Sequence, residues 1–164
     1  MLYNKKISFT NISVSLFLGV KYITLFYCFY KNEKYIHFGR YAAKFDDVMN
    51  YIPARLCGLL MIFASYILKM DWKNAKKIFL RDRFNHASPN SAQTEAVMAG
   101  ALRIQLAGDA WYFGKKKKKP TIGDALRPVE IEDIPRANRL LYATAIVSII
   151  IFGIVRLLLQ FIRF

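Results

Sequence analysis

Cysteine and histidine are scarce in this chain, and the scarcity excludes several kinds of site. The only cysteines, Cys28 and Cys57, each lie inside an apolar stretch without CxxC spacing. That placement argues against a disulfide framework or a cysteine zinc site and leaves two thiols acting as small apolar side chains. The only histidines, His37 and His86, have no partner at metal-ligand spacing and read as structural, although His86 falls in a polar loop. No P-loop, dinucleotide fingerprint or GxSxG elbow occurs, so nucleotide use is not readable from those patterns. There is no internal repeat. Acidic residues are also few: 11 Asp and Glu against 25 Lys and Arg leave a net charge of +14. Anionic lipid head groups or phosphate-bearing substrates would complement such a chain. Nucleic acid is the weakest partner, because Lys115–Lys119 has no interleaved aromatics on which bases could stack.

Apolar residues make up 55% of the 164 positions, and they are unevenly spread. Charge concentrates between Lys69 and Arg139, and the two ends are apolar. Leu140 to Ile162 carries a single charge, Arg156, and has the length of about 20 residues that a helix needs to cross hydrocarbon. Ile7 to Tyr30, interrupted by Lys21, is also long enough to span or to lie at an interface; Lys5 and Lys6 precede it, yet no small-residue cleavage pattern follows. Leu56 to Leu68 is short for a crossing and reads equally as a buried or re-entrant helix. Lys69, Lys73, Lys76, Lys77, Arg81 and Arg83 follow that stretch, and Arg136 and Arg139 precede the last one, which favours the cytoplasmic side for the polar segments. The pattern predicts an all-α integral membrane protein with a helical cytoplasmic module. It divides into an apolar N-terminal helix at 1–30, a motif-bearing region at 31–139 that contains the 56–68 helix, and a C-terminal transmembrane helix at 140–164.

Within the polar region, Phe38–Tyr51 suits a helix, with Pro53 breaking it or opening the next. Lys73–Phe84 suits a basic helix. After the loop FNHASPNSAQ, Asn90 with Gln93 three residues on has the form of a capping box. The helix that follows carries Ala96, Ala99, Gly100 and Ala101, small residues that permit close helix approach, and Gly108 suits its end. The lysine run at 115–119 reads as a solvated loop or a contact with anionic head groups.

Two constellations have chemical potential. In DDVMNYIPAR, residues 46–55, Asp46 and Asn50 are four apart and Asp47 and Asn50 three apart, so their oxygen-bearing side chains share one side of a helix. Paired carboxylates and an amide suit a hard cation such as Mg²⁺, and Arg55 suits phosphate or carboxylate oxygens. The same acids would also serve simply to solvate or cap a helix, but next to an apolar segment charge is costly and more often functional. In SPNSAQTEAVMAGAL, residues 88–102, Ser88, Pro89 and Asn90 sit at a loop-to-helix junction whose free N–H groups favour anions. Glu95, in the first turn or just after it, reads as a metal ligand, a base, or a carboxylate favoured by the helix dipole.

Together these stretches resemble the adenosylcobinamide-phosphate synthases, the CobD/CbiB membrane proteins of cobalamin biosynthesis. The resemblance rests on YKNEKYIHFGRYAAKFDDVMNYIPARL, HASPNSAQTEAVMAGALRIQLAGDAWYFG and PTIGDALRP, in that order, between about Tyr30 and Phe152. Residues 1–29 lie outside it, and so does the upstream part of the longer family proteins; a truncated gene, an altered reading frame or a split protein with a separate N-terminal half as partner would each produce this. The resemblance implies a carbon–nitrogen ligase of the cell membrane, crossing more than once. It would join aminopropanol or its phosphate to the corrinoid substrate adenosylcobyric acid with ATP and Mg²⁺. It further implies that Asp46 and Asp47 hold the metal, that Asn50, Arg55, Ser88, Pro89 and Asn90 contact substrate, and that Glu95 is a metal ligand or proton acceptor. The competing reading is a non-catalytic membrane protein whose basic face binds lipid or a partner.

Overall fold

A computed structural model describes residues 36–112 and 115–162. The N-terminal apolar stretch Ile7–Tyr30 and Cys28 lie outside the described residues. Helix α1 (Ile36–Met49) belongs to one compact unit, which ends at Asn50, and the residues from Tyr51 onward form another.

The second unit is built on four helices: α2 (Tyr51–Ile67), α3 (Trp72–Asp82), α4 (Ser91–Leu102) and α5 (Asp133–Ile162). Pro53 sits in the first turn of α2, where a missing N–H costs nothing. Asp71 caps α3 by accepting the Asn74 backbone N–H at 3.0 Å on Oδ1. Helix α4 ends at Leu102 because Arg103 adopts the left-handed conformation, φ 60°, and its N–H returns to Ala99 and Gly100. The helix therefore stops well before Gly108, where the sequence suggested its end.

The expectation of an all-α chain needs a second correction: the chain is mostly helical, but four short strands occupy residues 106–122. β1 (Leu106–Ala107) pairs antiparallel with β4 (Thr121–Ile122), and β2 (Ala110–Tyr112) pairs with β3 (Lys115–Lys117) inside that loop. The lysine run thus begins as a strand of a two-stranded ribbon. Trp111 faces Lys116 and Ala110 faces Lys117 in the register, so backbone pairing with β2 overrides the polarity of the run.

One apolar cluster joins all four helices through Met61 and Ala64 of α2, Ala75 and Phe79 of α3, Val97 and Ala101 of α4, and Leu140 and Val147 of α5. A second cluster, of Ile78, Ala92, Ala96, Ala99 and Ile122, seats β4 against α3 and α4. The small residues of α4 do what their composition predicts. A Cβ on Gly100 would stand 2.5 Å from the Ala75 Cα, so only glycine lets α3 and α4 approach this closely. Asn74 Nδ2 donates to the Gly100 carbonyl at 2.9 Å across the same contact.

Helix α5 is the one helix among the described residues long and apolar enough to cross a membrane. Its 30 residues reach about 45 Å, and its C-terminal half is exposed along its length. The short apolar helix predicted at 56–68 is the greater part of α2. It buries Gly58, Met61, Ala64 and Ser65 and leaves Leu59, Phe63, Tyr66 and Ile67 exposed.

The PTIGDALRP segment acts as a clasp. Asp82, 4% exposed at the end of α3, accepts the Gly123 N–H at 2.8 Å, and Arg81 grips both oxygens of Asp82 while its Nη1 lies 2.8 Å from Asp124. Gly123 has φ +85°, a conformation other residues resist. Further on, Arg127 donates to the Leu102 carbonyl at 3.0 Å and to both oxygens of buried Asp133, the first residue of α5. Arg81 and then the Gly123 N–H hold the Asp82 carboxyl below its ordinary range. Arg127, the Glu130 N–H and Arg136 do the same for Asp133. Groups whose pKa falls on folding add stability that is fully present above the unfolded value, about 3.9, and lost as pH falls through the folded values. The chain should therefore hold a constant unfolding midpoint in detergent from pH 7 to 5 and lose stability below about pH 4. Asp82→Asn should flatten that acid limb, and an unchanged acid limb would count against the clasp.

Candidate functional site

Asn50, the residue after α1, donates from Nδ2 to Asp46 Oδ1 at 2.9 Å, so the i, i+4 pair predicted from spacing is formed. Asp46 and Asp47 are both half-buried. Partial burial raises the Asp46 carboxyl above its ordinary pKa, and the neighbouring charge of Asp47 raises it further, while the Asn50 amide partly opposes both. Two adjacent carboxylates with this mutual repulsion are stabilised by a cation. Among the described residues no group of three or more metal-binding side chains forms, so a hard cation here would draw its other ligands from water and substrate oxygens, as Mg²⁺ commonly does.

The second group lies at the start of α4. Arg55, one turn into α2, donates from Nη1 to the Tyr51 carbonyl at 2.7 Å and stacks its guanidinium 3.2 Å above the Tyr51 ring. It also stands 6.0 Å from the Phe84 ring, and Arg83 stands 4.9 Å from that same ring. Phe84 thus gathers two guanidiniums at the root of the loop that carries Ser88, Pro89 and Asn90. Sequence reading missed Arg83 in this role. The only available signal was its position beside an aromatic residue in RDRFNH, which does not show where either side chain points.

The loop is held from beneath by Gln93. Its side chain is fully buried, and Nε2 donates to the carbonyls of Arg83 and Pro89, each at 3.1 Å. The capping box expected from Asn90 and Gln93 does not form. Asn90 is the N-cap residue with φ −104° and ψ −32°, and its side chain makes no capping hydrogen bond. Gln93 instead ties both ends of the loop together because the chain doubles back over it. His86 Nδ1 accepts the Ser88 N–H at 3.0 Å, so this histidine helps to shape the loop. Glu95 falls just beyond the first turn of α4 and is half-buried.

The structure therefore brings Arg55 to the root of the Ser88–Asn90 loop and places Glu95 a little further along the helix that this loop opens. Asp46, Asp47 and Asn50 form their own group in the first unit.

No solved structure is significantly similar to this chain. Known sequences are. The cobalamin biosynthesis protein CobD of Clostridium perfringens is 50% identical over 131 residues, covering 80% of this chain and 42% of that protein. The CobD of Streptococcus sanguinis is 51% identical over 131 residues, with the same coverage of 80% and 42%. The cobalamin biosynthesis protein CbiB of Salmonella arizonae is 46% identical over 123 residues, covering 75% of this chain and 39% of its own length. The chain thus spans about two fifths of these relatives. The CobD/Cbib protein family matches residues 28–141, which contain α1 through the start of α5 and both polar groups, and this chain belongs to that family.

Proposed function

We propose that this chain contributes to an ATP-dependent carbon–nitrogen ligase that joins aminopropanol, or its phosphate, to the carboxylate of adenosylcobyric acid. The observation that carries this reading is the pair of guanidiniums on Phe84 beside a rigid, Gln93-held turn at a helix N-terminus. Cations and free backbone N–H groups gathered in this way suit the oxygens of a phosphorylated carboxylate.

The chemistry follows from the weakness of an ionised carboxylate as an electrophile. A carboxylate oxygen of the corrinoid attacks the terminal phosphorus of ATP, ADP leaves, and an acyl phosphate results. The amine nitrogen then attacks the acyl carbon, inorganic phosphate leaves with the electrons of the broken carbon–oxygen bond, and the amine proton passes to a base. In this reading Arg55, Ser88 and Asn90 orient the transferred phosphoryl oxygens, Pro89 sets the turn, and Glu95 accepts the proton. Asp46 and Asp47, steadied by Asn50, would hold Mg²⁺, whose charge would offset that of the phosphates. The protein in this reading is embedded in the cell membrane, with its polar segments on the cytoplasmic side and α5 as one crossing.

Because the chain covers about two fifths of its relatives, the test pairs it with the remainder of one. A corrinoid-pathway mutant that lacks this ligase should grow without added cobinamide when it expresses this chain with the unmatched part of the Clostridium perfringens CobD. Neither piece alone should support growth. Failure of the pair, where the intact relative succeeds and both pieces are present in the membrane, would sink the reading.

A further inference from the structure

At the opposite end of α4 from the Ser-Pro-Asn turn, about 18 Å along the helix, lies a cleft of about 460 Å³ rimmed by four arginines. Arg103 comes from the end of α4, Arg127 from the connector, and Arg136 and Arg139 from the first turns of α5, with Glu130 beside them and Met70 among the apolar residues of the lining. None of these arginines belongs to the ligase reading.

The four cations are unequally committed. Arg127 spends its donors on the Leu102 and Pro128 carbonyls and on both oxygens of Asp133. Arg136 uses Nη1 on Asp133 at 3.0 Å and on Glu130 at 3.3 Å. Arg103 reaches Asp71 only at 3.7 Å, with its side chain 59% exposed. Among the described residues Arg139 makes no ion pair. Four arginines against Asp71, Glu130 and Asp133 leave one net positive charge, carried by the two least engaged guanidiniums, while Arg127 and Arg136 are fixed in place as the cleft's frame. Such forks match phosphate oxygens in both charge and geometry. Leu140, the first residue of the uncharged run of α5, follows Arg139 directly, so the cleft opens where that helix would enter a bilayer.

We propose that this cleft binds a phosphate group, with Arg103 and Arg139 as its principal contacts. Two sources share that chemistry, the headgroup of an anionic phospholipid and a soluble phosphate ester, and one experiment separates them. The full chain is placed in nanodiscs of phosphatidylcholine alone, in discs that also contain phosphatidylglycerol, and in phosphatidylcholine discs with added inorganic pyrophosphate. Phenylglyoxal labelling of the arginines is read by peptide mass spectrometry. Arg103 and Arg139 should be protected at least fivefold by one of the two probes relative to phosphatidylcholine alone, with Arg81, engaged by Asp82 and Asp124, as the unchanging reference. Protection by phosphatidylglycerol assigns the site to a lipid, and protection by pyrophosphate to a soluble ester. The paired variant Arg103→Gln with Arg139→Gln, which spares the Arg127–Asp133 frame, should weaken binding of the protecting probe at least tenfold. The charge-matched variant Lys116→Gln with Lys118→Gln should leave it unchanged. Equal labelling under all three conditions, or equal weakening by the two variants, overturns the proposal, and the labelling result requires no variant to fold.

Discussion

Under the proposed ligase reading, Asp47→Asn should lower amide formation by the complementing pair about 10- to 100-fold, the scale on which disturbing a metal's surroundings reduces activity. The substitution preserves shape and removes one negative charge. It is informative because the effect on the neighbouring residue can be stated in advance. Asp46 owes part of its raised pKa to the charge of Asp47, after the larger contribution of its own burial. Neutralising Asp47 should therefore move the titration of Asp46 downward, toward the ordinary carboxylate range, which carbon-detected NMR of a labelled sample can follow. If the pair holds Mg²⁺, the variant should also need more of it. A downward shift of Asp46 with full activity would remove the pair from the mechanism while leaving the local geometry intact. No shift at all would mean that the two carboxylates do not sense one another.

Gly100→Val should severely destabilise the second unit. A Cβ at this position would meet the Ala75 Cα at 2.5 Å, the Asn74 carbonyl oxygen at 2.8 Å and the Ala75 nitrogen at 2.9 Å. All three are backbone atoms of α3 and cannot rotate away as a side chain can. The two helices would have to separate, opening the cluster around Ala75 and Val97 and stretching the Asn74–Gly100 hydrogen bond. Overpacking of this kind costs about 3 kcal/mol, and the loss of the interhelical hydrogen bond adds about 1 kcal/mol. The thermal midpoint in detergent should drop markedly. Gly153→Ala is the control: nothing lies within 4 Å of the Cβ it would gain, so a better helix former there should leave the midpoint unchanged or slightly higher. Equal midpoints for both variants would refute the close approach of α3 and α4.

These features differ in how legible they are in the sequence. The run from Leu140 announces α5 by composition alone, because so long an uncharged stretch has few alternatives. The small residues of α4 likewise announce a tight interface, although not the partner. The i, i+4 bond between Asn50 and Asp46 is local and follows from helical spacing. What stayed hidden depends on chain segments meeting from afar. Arg81, Asp82, Gly123 and Asp124 form one group across a separation of 41 residues, and nothing in RD or GD alone reveals it. Gln93 fits a capping pattern, but a loop folded over it offers two carbonyls that win its amide. The strands at 106–122 are only two or three residues long, too short for alternation to register, and one of them consists of lysines, which rank low as strand formers.

The ribbon of β2 and β3 lies in sequence between β1 and β4, whose pairing closes its base together with the Asp82–Gly123 bond. Its length is therefore nearly independent of the helices beneath it. Doubling the length of a loop costs only about 0.6 kcal/mol in closure entropy, so residues gained or lost between the two strands should cost folding little. The polybasic finger is thus the part of the molecule best placed to diverge in reach and charge between related chains, while the four-helix base stays the same.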